Sequence, residues 1–147
     1  MVNNSINVSA YIDEQPPNEA GSDRIYIADG PLYSSELVRA LLSTAGDNTK
    51  LLTERCRKDV QTMGFDIDDV KQLVCAALSS GSYLKSEWCI VGQTDKAISW
   101  AACDSYRLFR NEWVEYAHKE MRYEYYVKFA IGKTGKLLLL VSCHLSR

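Results

Sequence analysis

Tyr125-Tyr126-Val127-Lys128-Phe129-Ala130-Ile131, then Gly132-Lys133-Thr134-Gly135, then Lys136-Leu137-Leu138-Leu139-Leu140-Val141-Ser142-Cys143-His144 is the stretch that decides the fold. Two β-rich runs flank a short turn with a glycine at each end, the pattern of a β-hairpin. The second run is apolar almost throughout. A strand reads that way when both of its faces are covered, so it is expected as a buried, central strand. In the first run Tyr125, Val127, Phe129 and Ile131 alternate with Tyr126, Lys128 and Ala130. Successive strand side chains point to opposite faces. The uniformly apolar or aromatic set is therefore expected against helices, and the other set toward solvent. The same hairpin carries Tyr126, Lys128 and His144, residue types that transfer protons and stabilise phosphate charge without a metal.

Working outward, the chain before the hairpin changes period. Residues 1–23 are polar, with Pro16-Pro17 and Asn18-Glu19-Ala20-Gly21-Ser22, and residues 1–34 together read as a flexible N-terminal extension. Arg24 to Ala28 could form a short strand. A first helix is expected from Glu36 to Ala45, capped by Ser34 or Ser35 and ended by Gly46, with Leu37, Val38, Leu41 and Leu42 on one face. A second runs from about Thr53 to Met63 and stops at Gly64. The third has the clearest start. Asp66 is its N-cap, Asp69 stands at the capping-box position, and Ile67, Val70, Leu73, Val74, Ala77 and Leu78 form its apolar stripe. After Gly81 the period shifts toward two: Tyr83–Val91 and Ala97–Tyr106 read as strands. Asn111 to Glu120 fits either a short helix or a loop. Helices first and strands later indicate an α+β fold, N-terminal helices packed on a C-terminal antiparallel sheet, with residues 35–147 as the folded domain.

Composition narrows the function. The 147 residues suit one domain, and 46% hydrophobic content suffices for a core. No stretch approaches the roughly 20 apolar residues that span a membrane. Met1 to Ala10 lacks the basic and apolar regions of a secretory signal. Cysteines at 56, 75, 89, 103 and 143 are odd in number and contain no C-x-x-C pair, which argues for a reducing cytoplasm and against disulfides or zinc. Charge is uneven. Residues 1–82 hold 12 Asp/Glu against 7 Lys/Arg, whereas residues 83–147 hold 10 Lys/Arg against 7 Asp/Glu. A nucleic-acid face, if present, belongs to the second part.

From Ser35 to Arg147 a series of short motifs appears in order: Leu37-Val38-Arg39-Ala40-Leu41-Leu42 with Ala45-Gly46, Met63-Gly64-Phe65-Asp66-Ile67-Asp68-Asp69-Val70, Tyr83-Leu84-Lys85-Ser86, Asp104-Ser105-Tyr106-Arg107, Tyr126-Val127-Lys128, and Val141-Ser142-Cys143-His144. In this series the chain resembles the MqsR family of bacterial type II toxins. The resemblance implies a RelE-like fold and ribosome-independent, metal-free cleavage of single-stranded mRNA in the cytoplasm, with no cofactor. It also implies neutralisation by a cognate antitoxin carrying a DNA-binding helix-turn-helix. The chain departs from the family between Trp100 and Asp104, where Ala101-Ala102-Cys103 stand and no glutamine fills the family's catalytic position. The stretch from Asp104 to Tyr126 is also longer than the family's, and Trp113-Val114-Glu115-Tyr116 is a second candidate for the D-x-Y slot.

Metal-free RNA cleavage needs a base for the 2′-hydroxyl, donors for the charge on phosphorus and an acid for the leaving 5′-oxygen. Lys85, Tyr126 and His144 are the catalytic candidates. Lys85 supplies a cation just after the third helix, and His144 is the only histidine on the expected sheet, with a side-chain type that titrates near neutral pH. Lys128, on the face of Tyr126, together with Asp104, Tyr106 and Arg107, are the RNA-binding candidates; Asp104 would orient a cation, and Arg107 lies on the opposite face from Tyr106 in a regular strand, so that it is expected to reach the site only if the strand has ended there. Cys103 reads as a packed strand residue, and no carboxylates cluster at metal-ligand spacing. The rival is a non-catalytic nucleic-acid-binding or regulatory protein on the same scaffold.

Overall fold

A computed structural model describes residues 4–21, 24–43 and 48–146, which trace three helices and seven strands. In chain order these are β1 (Asn4–Asn7), β2 (Tyr26–Ile27), α1 (Ser35–Ser43), β3 (Thr49–Leu51), α2 (Glu54–Met63), α3 (Ile67–Ser80), β4 (Ser82–Gln93), β5 (Ala97–Val114), β6 (Lys119–Ile131) and β7 (Leu138–Leu145). The helix ends follow their local signals. Ser34 Oγ accepts from Leu37 N, Thr53 accepts from Cys56 N, and Gly64 closes α2 at φ 73°. Asp66 and Asp69 form the full capping box. Ala45 and Gly46, the expected end of α1, lie outside the described residues.

The C-terminal hairpin forms as the alternation demands. β6 and β7 pair antiparallel, and Gly135 N donates to Gly132 O across the turn. Tyr125, Val127, Phe129 and Ile131 are all buried, and they share one core with Val38, Val60, Val70, Leu73, Val74 and Ala77 of the helices. Full burial of a leucine such as Leu73 contributes about 2 kcal/mol. Leu37 and Ile67 lie outside the arc that meets the sheet and remain exposed. Ala130 keeps its expected side, the face of Tyr126 and Lys128, but is fully buried rather than turned to solvent.

The sheet is mixed, with strand order β2-β4-β5-β6-β7-β3 and β1 beside β5. The β4 to β7 meander is antiparallel, as is β2 on β4, but β1 and β3 add parallel pairings. The helices are therefore not simply N-terminal: two strands precede α1, and β3 separates α1 from α2.

Two expectations are corrected here. The described part of residues 1–34 is built into the fold rather than forming a loose extension. β6 pairs with β5 only from Asp104 onward, and β1 occupies the edge left at Ala97–Trp100. Such an edge would otherwise expose a row of unpaired N–H and C=O groups. The rest of the segment covers a second core of Ile27, Trp88, Ile98, Trp100 and Ala102, where Tyr11 meets Trp88 edge-on. The second correction concerns residues 111–120. β5 continues through Val114, a single 3₁₀ turn covers Glu115–Ala117, and β6 starts at Lys119. The stretch between Asp104 and Tyr126 is thus an extended hairpin arm.

Candidate functional site

Side-chain alternation along β4, β5, β6 and β7 sorts the candidate residues onto two faces. Arg107 pairs with Tyr126, Tyr126 with His144, Ser105 with both Lys85 and Lys128, and Lys128 with Ser142. All of these share the face turned away from the helical core. The rings of Tyr126 and His144 stack with centroids 5.2 Å apart at 23°. Lys128 Nζ stands 5.7 Å from the Tyr126 ring centroid. Arg107 Nε lies 3.7 Å from Glu124 Oε2. Leu84, Arg107, Glu124, Tyr126, His144 and Ser146 line an open groove of about 430 Å³.

Glu87 organises the cations and was not among the expected residues. Its carboxylate meets Lys128 Nζ at 2.8 Å and Lys85 Nζ at 3.5 Å. Both Lys128 and Glu87 are mostly buried, at 15% and 12% side-chain exposure, whereas Lys85 is half-exposed. Burial opposes charge on each partner of this pair. It is outweighed at Glu87 by the two lysines, which hold the carboxyl below its usual range. At Lys128 the neighbouring Cys89 thiol and the Glu87 carboxylate hold the ammonium above its usual range. Lys128 is therefore a fixed positive charge beneath the groove, and Lys85 is the more accessible cation. The i, i+2 spacing of Lys85 and Glu87 in a strand was the signal that could have placed Glu87 on this face.

His144 Nδ1 lies 2.7 Å from the Leu145 carbonyl. A carbonyl only accepts, so in the neutral imidazole Nδ1 carries the proton and Nε2 is the basic nitrogen. The backbone therefore sets which nitrogen can take a proton.

Asp104 and Tyr106 are the corrections. Alternation sends both to the opposite face, where Asp104 is fully buried and Tyr106 is 7% exposed. Asp104 accepts from Leu32 N at 2.9 Å, Tyr33 N at 3.1 Å and Ser86 Oγ at 2.6 Å. Tyr83 Oη adds a bond to Ser86 Oγ at 2.7 Å. Gly30 fits against this cluster because a β-carbon there would collide with Tyr83 Oη and Ser86 Oγ. Burial pushes the Asp104 carboxyl up, partly offset by its three donors. Tyr106 stacks on Phe129, 5.7 Å away and 7° from parallel. Asp104 ties the N-terminal segment to the sheet, Tyr106 packs against Phe129 and Tyr83, and both are buried. Cys103 is wholly enclosed, and burial pushes its thiol well up, so it is a packed residue rather than a nucleophile.

No protein family, curated protein or solved structure matches the chain.

Among the described residues no three His, Cys, Asp or Glu side chains are placed to hold a metal ion, and no helix is long and apolar enough to cross a membrane. The five cysteines are free. What this sheet face offers is a histidine of defined tautomer, a tyrosine hydroxyl, two accessible cations and a buried third.

Proposed function

We propose that the protein is a metal-independent endoribonuclease acting on single-stranded RNA, with the groove around Tyr126 and His144 as its active site. The observation that carries this reading is the gathering of Lys85, Arg107, Tyr126, Lys128 and His144, from four adjacent strands, on the one sheet face left open by the helices. His144 Nε2 accepts the proton of the 2′-hydroxyl, and the 2′-oxygen attacks phosphorus. Arg107 and Lys85 neutralise charge on the equatorial oxygens, with Lys128 supplying field from below. The P–O5′ bond breaks as a proton passes to the 5′-oxygen from the Tyr126 hydroxyl. The products are a 2′,3′-cyclic phosphate and a free 5′-hydroxyl. The resemblance to the MqsR toxins supports the same reading and adds mRNA as the target and an antitoxin as the inhibitor.

The test is incubation of the purified protein with single-stranded RNA in excess EDTA. Cleavage that leaves cyclic-phosphate ends is expected. Cleavage abolished by the chelator and restored by magnesium or manganese would sink the mechanism. Binding without cleavage of any RNA would leave the non-catalytic reading, for which the pairing of Glu87 with Lys128 and Glu124 with Arg107 is the supporting observation.

A further inference from the structure

Beyond the groove, β5 and β6 continue as a two-stranded arm. Its open face carries Arg107, Phe109, Asn111 and Trp113 opposite Tyr126, Glu124, Arg122 and Glu120. Phe109 is 44% and Trp113 58% exposed. The arm's packing comes from its other face, where Leu108, Val114 and Tyr125 are buried and Phe65 approaches Tyr125 at 6.1 Å. The two exposed rings are therefore not used to hold the arm. They are, however, held in place. The Arg122 guanidinium stands 4.1 Å from the Phe109 centroid and that of Arg107 stands 5.6 Å away. Trp113 Nε1 donates to Glu115 Oε2 at 2.7 Å, which orients the indole.

We infer that the arm is a stacking track for single-stranded RNA leaving the groove, in which Phe109 and Trp113 each receive a base and Arg122 holds an intervening phosphate. The inference rests on the reading of the groove as an RNA site. Same-face residues on a strand repeat every ~6.8 Å, about the reach of one extended nucleotide. Tyr126 and Phe109 stand on neighbouring strands one step apart along the sheet, and Trp113 lies two steps further along β5. Aromatic rings interleaved with arginines suit unpaired bases, whose faces stack without regard to sequence. A protein partner would instead favour a continuous apolar patch. Here Asn111, Arg122 and Glu124 separate the rings.

Trp88 and Trp100 are 2% exposed, so a change of tryptophan fluorescence on RNA addition reports Trp113. The experiment compares a single-stranded tetranucleotide with a dodecanucleotide by fluorescence anisotropy, on the full chain. The wild type should prefer the dodecanucleotide, which should also quench Trp113. Phe109→Ala and Trp113→Ala should each shrink that preference by about 5- to 100-fold, and Trp113→Phe should restore most of it. A preference unaltered in both alanine variants, or Trp113 emission unmoved by the dodecanucleotide, would overturn the track while leaving the groove reading standing. In that event the arm becomes a protein-docking element. A wild type that binds neither RNA overturns both. RNA bound with the expected preference but never cut overturns catalysis alone and upholds the track.

Discussion

Replacing Asp104 separates a structural carboxylate from a functional one. In Asp104→Ala the N–H groups of Leu32 and Tyr33 and the hydroxyl of Ser86 lose their acceptor. Each orphaned buried donor costs about 1–3 kcal/mol. Ser86 keeps Tyr83 as a partner, and removing the carboxylate relieves its own desolvation. The two N–H groups then dominate, for a loss of about 2–4 kcal/mol, which lowers Tm by roughly 5–15 °C in a chain of this size. Asp104→Asn should be far milder. With its oxygen placed where Leu32 N and Tyr33 N converge and its NH₂ donating to Ser86 Oγ, every donor is kept, at a cost of about 1 kcal/mol or less at neutral pH. The two proteins should also diverge with pH. The folded-state pKa of Asp104 is raised, chiefly by burial. Its stabilising contribution is thus complete below the unfolded-state pKa and is lost as pH rises through the folded one. Wild type should accordingly gain on Asp104→Asn as the solution is acidified from neutral toward the ordinary aspartate range. Urea denaturation at several pH values reads all three effects, and RNA anisotropy on the same samples reads function. An alanine variant that keeps its denaturation midpoint but loses RNA would place the carboxylate at the interface and refute this account.

Other variants probe the open face. Lys85→Ala and His144→Ala should each lower the cleavage rate by about 10²–10⁴, with midpoints shifted by less than about 0.5 kcal/mol; full activity in both would mean the site lies elsewhere. Tyr126→Phe keeps the ring stacked on His144 and removes the hydroxyl, so turnover should fall while RNA affinity holds, whereas Tyr126→Ala should weaken binding by about 1–3 kcal/mol as well. A Phe variant with unchanged turnover beside an Ala variant that binds weakly would assign the role to the ring alone. Glu87→Gln should destabilise by about 1–3 kcal/mol by stripping Lys128 of its partner, yet tighten RNA binding and steepen its salt dependence by unmasking two lysines. Because the folded pKa of Glu87 is lowered, its contribution is present above the unfolded value and lost as pH falls through the folded one, so the gap between wild type and Glu87→Gln should close in acid. A gap independent of pH would refute the ion-pair assignment.

Much of this architecture was legible in the chain itself, for a physical reason: its signals are local. A capping box spans four residues, and the Asp66–Asp69 pair forms as read. A hairpin joins runs separated by one turn, and alternation along 125–131 placed four core residues and the Tyr126 face correctly. By the same rule Arg107 shares its face with Tyr126, once the pairing of β5 with β6 is known. That pairing is what a strand cannot specify alone. Asp104 carries no local mark to distinguish a carboxylate that contacts a ligand from one that anchors Leu32 and Tyr33, about seventy residues earlier in the chain. Glu87 bridges two lysines only because β6 brings Lys128 across the sheet to it. The polar stretch before α1 lacks periodicity, since its four-residue strand is stabilised by the vacant edge of β5 rather than by its own composition. Residues 111–120 read ambiguously because one face of the arm is exposed, which mixes aromatic and charged side chains and hides the strand period. Local sequence chose the helices, the turn and the side of each strand. Which faces met, which charges were buried together and which edge needed a partner were decided only by tertiary structure, because those energies exist between residues that the chain holds far apart.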